Sequence, residues 1–490
     1  MNTTIKITNG ITRHPDFRMA EPVNLTIGST EHVAIVGPNA GGKSRLVDII
    51  RGRYPLLASS GIEYDFSPSP LRLASENIKY ISFRDSYGDA DASYYYPQRW
   101  NQHDIDPSTP TAGALLDQAF EAASAGGGYG LDDKGREEWQ AQRQALRDNL
   151  DKLFHLDAVR DNYVISLSSG ELRKFQLARA LYSMPRILIL EAPFIGLDAD
   201  TRSNLADLLA TLSERVQIIL VQATGEPVPA FINRTIYVED CTIRSDAQII
   251  RNTPAPQNHT TTQPQNREAE EILSFNDVSI RYGERTILQS LNWVVRKGEN
   301  WALMGENGCG KSTLLSLVCS DNPQAYACDI SLFGRRRGSG ESIWEIKKHI
   351  GYVSPEMHRA YMRDLPAIDI VASGLHDSVG LYVRPRPEQR ETCLRWMRTF
   401  GIEDLADRTF LKLSSGEQRL VLVCRAFVKS PDLLILDEPL HGLDERNRQM
   451  VRSIIHDYCA NPDITLVMVT HYPEELPDNI THTLRLKRNT

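Results

Sequence analysis

No run in this 490-residue sequence approaches the roughly 20 consecutive apolar residues that a membrane-crossing helix needs. Any membrane role would therefore need a separate partner chain. Basic charge is not in excess: 55 Lys and Arg against 63 Asp and Glu leave a formal net charge of −8. That balance argues against wholesale coating of nucleic acid and still allows a local basic patch. Cysteine is sparse, with seven residues (241, 309, 319, 328, 393, 424 and 459) and no Cys-x-x-Cys. An odd count without that spacing argues against a disulfide frame or a zinc site and for reduced thiols. The opening Met1-Asn2-Thr3-Thr4-Ile5-Lys6 lacks the charged and apolar regions of a secretory signal. The expectation is a cytoplasmic chain, at most peripheral at the inner face of the cell membrane.

What is present is ordinary in amount and informative in order. Hydrophobic content of 41% and charged content of 24% suit a globular chain, and the length predicts two or three domains. An internal repeat organises it. Gly37-Pro38-Asn39-Ala40-Gly41-Gly42-Lys43-Ser44 recurs as Gly305-Glu306-Asn307-Gly308-Cys309-Gly310-Lys311-Ser312, an offset of 305 − 37 = 268. Leu167-Ser168-Ser169-Gly170-Glu171 recurs as Leu413-Ser414-Ser415-Gly416-Glu417, an offset of 246, and Ile187–Leu190 before Glu191 recurs as Leu433–Leu436 before Asp437. The first copy thus carries 268 − 246 = 22 extra residues between its motifs, expected near Asp85 to Tyr96 and Ala122 to Asp133. The polar, proline-spotted Arg251 to Gln265 reads as a tether. It sets the boundaries 1–250 for one domain, 251–270 for the linker and 271–490 for the second domain.

Each half opens with short strands, Ile5 to Ile11 and Ile272 to Tyr282, and has a helical middle, Glu137 to Phe154 and Glu388 to Phe400. A glycine-rich loop between an apolar strand and a helix that starts near Ser44 or Ser312 lets backbone N–H groups converge on phosphate oxygens. Gly37, Asn39, Gly41 and Gly42, and Gly305, Asn307, Gly308, Cys309 and Gly310, are the expected cradle. Lys43 and Lys311 would reach the β- and γ-phosphates, Ser44 and Ser312 would reach Mg²⁺, and Arg45 and Thr313 follow them. Four buried apolar residues ending in Asp437-Glu438 would deliver carboxylates to the C-terminal edge of a parallel sheet, where ligands sit. There Asp437 would hold Mg²⁺, and Glu438 would orient or deprotonate the attacking water.

Ser414 and Ser168 with Glu three residues on fit capping boxes. Their place before the carboxylate strand in both halves resembles the signature motif of ATP-binding cassette (ABC) ATPases, and the resemblance covers nearly the whole chain. It implies two fused α/β phosphate-loop domains, each with a RecA-like core, a small antiparallel β subdomain and a helical subdomain. By the same resemblance Gly442-Leu443-Asp444 are the D-loop, His471 the switch histidine and Tyr282 the aromatic that stacks on adenine. Head-to-tail pairing of the halves is implied too. One site would join Lys311, Ser312, Asp437, Glu438 and His471 to Ser168 and Gly170, the other Lys43, Ser44 and Glu191 to Ser414 and Gly416. ATP and Mg²⁺ are the implied ligands.

The first half departs from that pattern. Glu191 stands at the Mg²⁺ aspartate, Ala192 at the catalytic glutamate, Ala223 at the switch histidine and His14 at the adenine-stacking position. Ala192 can neither take a proton nor hold a water, so this half is expected to bind ATP and turn it over slowly. Neither Ile350-Gly351-Tyr352-Val353-Ser354-Pro355-Glu356 nor Ile78-Lys79-Tyr80-Ile81-Ser82-Phe83 carries the coupling-loop Gln of the family. Glu356 in one half, and Gln98 or Gln102 in the other, are the nearest candidates. The run Phe333 to Ile350, with Arg335-Arg336-Arg337-Gly338-Ser339-Gly340-Glu341, resembles the ModF-type molybdenum-transport ATP-binding family. Two roles follow: the ATP-binding component of an importer for molybdate, with a transmembrane permease as partner, or a soluble ABC ATPase acting on nucleic acid or a protein. The negative charge disfavours nucleic acid without excluding it.

Overall fold

In the computed structural model the described residues are 3–83, 109–126, 132–164, 167, 169–197, 199–244, 270–282, 285–306, 308–355, 357, 361, 364–378 and 381–487. Those up to 244 form one compact unit, and those from 270 onward form a second. Ser168, Asn307, Glu356, Gln98, Gln102 and all but the last residue of the expected linker lie outside the described residues. So do Asp85 to Tyr96 and, in the second insertion, residues 127–131.

The first unit runs through β1 (Thr3–Gly10), β2 (Val23–Gly28), β3 (Val33–Gly37), β4 (Gly61–Tyr64), β5 (Ile78–Ser82), β6 (Ile187–Glu191), β7 (Gln217–Ala223), β8 (Arg234–Glu239) and β9 (Thr242–Arg244). β2-β1-β4 is a small antiparallel sheet. β5-β6-β7-β3-β8-β9 is the main one, parallel except for its last strand. The second unit repeats this with β10 (Glu271–Tyr282), β11 (Arg285–Arg296), β12 (Asn300–Gly305), β13 (Asp329–Leu332), β14 (Arg335–Arg336), β15 (Ile350–Val353), β16 (Leu433–Asp437), β17 (Thr465–Val469) and β18 (His482–Leu486). Here β11-β10-β13-β14 is antiparallel and β15-β16-β17-β12-β18 wholly parallel. In both units the carboxylate strand and the phosphate-loop strand are separated by one strand, β7 or β17.

Packing explains these strands. Ile187 to Leu190 and Leu433 to Leu436 are all 0% exposed, as expected for central strands covered by helices on both faces. In the first unit one face packs against the helix Lys43–Ile50, whose Leu46, Val47, Ile49 and Ile50 join Ile5, Ile7, Ile189, Ile219 and Val221 in one core. The helical subdomains are Ala112–Gly126, Asp133–Phe154 and Ser169–Leu181, and then Ala367–Ser373, Pro387–Thr399 and Ser415–Phe427. Within each subdomain the helix that opens on the serine motif packs on the other two. No helix among the described residues is long and apolar enough to cross a membrane.

One feature has no counterpart among the described residues of the second unit. β8 and β9 are joined by a two-residue turn, Asp240-Cys241, with φ of 49° and 56°, the left-handed pair of a tight hairpin. The Cys241 N–H donates to Gly41 O at 2.8 Å, and Cys241 O accepts from Ala20 N–H at 2.8 Å. The hairpin tip is thus tied to the phosphate loop.

Candidate functional site

Each phosphate loop ends on a left-handed glycine, Gly42 and Gly310, both at φ 103°, which caps the helix beginning at Lys43 or Lys311. Glycine is required where the loop leaves its strand. A Cβ on Gly37 would sit 1.9 Å from Val238 O, and one on Gly305, at φ 153°, would sit 2.6 Å from Leu486 O. The lysines fold over their loops. Lys43 Nζ donates to Gly37 O and Pro38 O, each at 2.7 Å, and Lys311 Nζ to Gly305 O at 2.6 Å and Glu306 O at 2.9 Å. An ammonium fixed above a cradle of N–H groups at a helix start is an anion-binding arrangement. Cys309 is only 2% exposed, so its place in the cradle is a matter of backbone.

In the second half the pairing of β16 with β17 sets Asp437 beside Val469, and the Glu438 N–H donates to Val469 O at 2.9 Å. Glu438 takes a left-handed φ of 49°, a strained conformation for a side-chain-bearing residue that clusters at functional sites. Its carboxylate lies between two histidines. His471 Nε2 is 3.0 Å from Oε1, and His441 Nδ1 is 3.6 Å from Oε2. Burial pushes this carboxyl up, but His471, His441 and Arg419 together outweigh it and hold it well below the ordinary carboxylate range. A carboxylate kept anionic in this way can accept a hydrogen bond from water and orient it. Asp444 caps the next helix, accepting from Asn447 N–H at 2.9 Å.

The first half keeps the frame and loses the groups. The Ala192 N–H donates to Val221 O at 2.9 Å, and its φ of 50° repeats the turn at Glu438. Ala223 follows Val221 by two residues, as His471 follows Val469, and Ile195 stands three residues after Ala192, where the second half has His441. All three polar groups around the attacking position are therefore absent from this half. Glu191, 8% exposed at the end of β6, accepts from Ser44 Oγ at 3.3 Å through Oε1 and from the Tyr80 hydroxyl through Oε2.

Mg²⁺ prefers oxygen donors in an octahedral shell, commonly one or two carboxylates completed by phosphate and water. Ser312 with the buried Asp437 supplies such a hydroxyl and carboxylate, and these two residues would hold the ion. The ion would supply charge neutralisation of the transferring phosphoryl group. In the first half the corresponding pair is Ser44 and Glu191.

The residues at the expected base-stacking positions are held differently as well. The Tyr282 hydroxyl accepts from Asn322 Nδ2 at 2.9 Å, fixing the ring at the end of β10. His14 Nδ1 accepts from the N–H of Asp16 in its own loop at 3.3 Å, and the neighbouring Phe17 ring stacks on Tyr54 at 4.2 Å. The signature helix of the second half starts on a capping box. Ser414 Oγ accepts from Glu417 N–H at 3.3 Å, and Glu417 Oε2 accepts from Ser414 N–H at 2.7 Å. Ser414→Ala is expected to cost about 1 kcal/mol, read as a melting temperature lower by about 2–4 °C. In the first half Gly170 sits in the first turn of the helix Ser169–Leu181, while Ser168 lies outside the described residues.

Sequence reasoning missed an arginine clasp. Arg419, 4% exposed, donates through Nε to Pro439 O at 3.3 Å, through one Nη to Ser354 O at 3.2 Å and through the other to Asp437 O at 2.9 Å and Glu438 O. Arg173 repeats the clasp in the first half, donating to Pro193 O at 2.9 Å and to Ile195 O. His441 and Tyr80 were missed too. The only signal for His441 was its position three residues after Glu438.

The family profile described as "ABC transporter" matches residues 20–194 and 288–441. The chain is 34% identical, over 98% of its length and 96% of the relative's, to the ABC transporter ATP-binding protein ModF of Escherichia coli strain K12. It is 28% identical, over 97% of its length and 96% of the relative's, to an uncharacterized ABC transporter ATP-binding protein of Schizosaccharomyces pombe. The molybdate import ATP-binding protein MolC of Haemophilus influenzae is 30% identical over 44% of this chain and 79% of its own length.

Proposed function

We propose an asymmetric pair of nucleotide sites from one premise: this chain belongs to the ABC transporter family, as an ATP-hydrolysing protein with two ATP-binding cassettes in tandem. On this reading the second half hydrolyses ATP with Mg²⁺. Lys311 and the loop N–H groups hold the phosphates, Ser312 and Asp437 hold the ion, and Tyr282 meets the base. Glu438 orients the attacking water while His471 steadies Glu438. The first half holds nucleotide through Lys43 and the loop Gly37–Ser44 and turns it over slowly. The observation that carries this is the contrast at one backbone position, where Glu438 lies between two histidines and Ala192 offers no carboxylate, with Ile195 and Ala223 at the positions of those histidines. Lys311→Ala should lower steady-state ATP turnover to a small fraction of wild type. Turnover near the wild-type rate would overturn the assignment.

For the cellular role we propose the ATP-binding component of an importer, with a separate permease subunit and molybdate as cargo. The name of the Haemophilus influenzae relative supports molybdate import, and that of the Escherichia coli relative supports an ATP-binding component of an ABC transporter. The second reading is an ATPase that acts without a permease on a protein or nucleic acid, favoured by the missing Gln after Val353 and after Ser82. Solubilised membranes decide between them. A permease subunit that co-purifies with this chain selects import, and a soluble complex without one selects the other.

A further inference from the structure

His471 meets Glu438 on one side and is clasped from behind by the turn it sits in. Thr470, 3% exposed, donates from its hydroxyl to Glu475 Oε2 at 2.5 Å and accepts from the Tyr472 N–H at 3.1 Å. A hydroxyl has one proton and two lone pairs, so the carboxylate takes the proton and leaves a lone pair for Tyr472. One side chain thus ties together the residues before and after His471, as in other local side-chain-to-backbone turns. Glu475 is 8% exposed, and a carboxylate so buried is costly unless it is paired. Its other oxygen lies 3.7 Å from Arg448 Nε, and Arg448 Nη2 donates to Leu443 O at 3.2 Å. Leu443 stands between His441, which faces the second oxygen of Glu438, and Asp444, which caps the next helix. The contacts therefore form a ring that leaves Glu438 through His471 and returns to it through His441. In the first half Gln222 follows Val221 as Thr470 follows Val469. Gln222 is 1% exposed, and neither polar atom of its side chain has a hydrogen-bond partner among the described residues. The half that lacks the histidine lacks this clasp too.

We propose that Glu475 is a positioning residue for ATP hydrolysis: through Thr470 it sets the His471 ring against Glu438, and through Arg448 it fixes that setting to the Gly442-Leu443-Asp444 loop. This rests on the reading that the second half hydrolyses ATP, and the test separates the two. In the full-length chain Thr470→Val removes the hydroxyl and keeps the shape of the side chain, while Glu475→Ala removes the carboxylate. Each is expected to lower kcat about tenfold or more at a temperature where the chain stays folded, because a slightly misplaced group loses that much. KM for ATP should stay within about twofold, since the phosphate loop is untouched. Thr470→Ser, which restores the hydroxyl, should bring kcat back to within about threefold of wild type. A second readout is independent of turnover. With histidine rings isotopically labelled, the His471 resonance is identified by its loss in His471→Ala. It should move in Thr470→Val and in Glu475→Ala, and stay in place in Thr470→Ser. Should Glu475→Ala fail to fold, the two Thr470 variants decide alone. A His471 resonance that Thr470→Val leaves in place, a wild-type kcat in that variant, or a loss that Thr470→Ser does not recover overturns the proposal. Turnover near the wild-type rate in Lys311→Ala overturns instead the underlying reading of the second half, and this one with it.

Discussion

Glu438→Gln is expected to lower steady-state ATP turnover by about 10²–10⁴-fold while nucleotide binding is retained, because the variant keeps the shape of the side chain and loses its charge. The anionic form of Glu438 is what the two histidines and Arg419 stabilise, and it is the form that can accept a hydrogen bond from the attacking water. Gln offers one acceptor oxygen and a donor NH2 in place of two acceptor oxygens, so one edge of the side chain can no longer accept from the attacking water. Ala192→Gln at the same backbone position of the first half should leave turnover within about a factor of two, since no general base is removed there. Steady-state hydrolysis by both variants, with nucleotide binding as the control, checks the asymmetry. Equal losses from both changes would end it.

Arg419→Met is expected to destabilise the second half by about 3 kcal/mol or more, since charge-assisted hydrogen bonds are the strong ones and carbonyls left buried without a donor are costly. At about 2–4 °C per kcal/mol for a unit of this size, its melting transition should fall by about 6–12 °C. The effect should not stop at stability. The same guanidinium ties the backbone of Asp437 and Glu438 to Ser354 at the end of β15, from a helix that starts on the signature serine. Turnover should therefore fall even at temperatures where the variant stays folded. A variant that melts as wild type does, or that hydrolyses ATP normally while folded, would remove Arg419 from this role.

How much of this could be read from the residue string depends on how local each signal is. The phosphate loops, the serine-capped helices and the two four-residue apolar strands announce themselves because a few neighbouring residues must do one job. Their order in each half identified the two cassettes. Arg419 gave no such signal, since an arginine within Gln418-Arg419-Leu420 reads as a surface residue until the helix is set against the end of β16. Tyr80 meets Glu191 across 111 positions, and only the pairing of β5 with β6 brings them together. The hairpin at Asp240-Cys241 was equally hidden, because its importance lies in touching Gly41, 200 residues earlier. Element ends moved by a few residues at most. The helix expected from Glu137 begins at Asp133, where Asp132 caps it by accepting from Gly135 N–H at 2.8 Å.

That hairpin bears on exchange as well as on binding. A phosphate loop already fastened at Gly41 by a neighbouring turn has less freedom to surrender when a nucleotide arrives, so less of the interaction energy goes into ordering it. The same fastening resists the loosening that lets a nucleotide go. On the proposed reading, in which the first half binds nucleotide, this fastening suits that half to long residence.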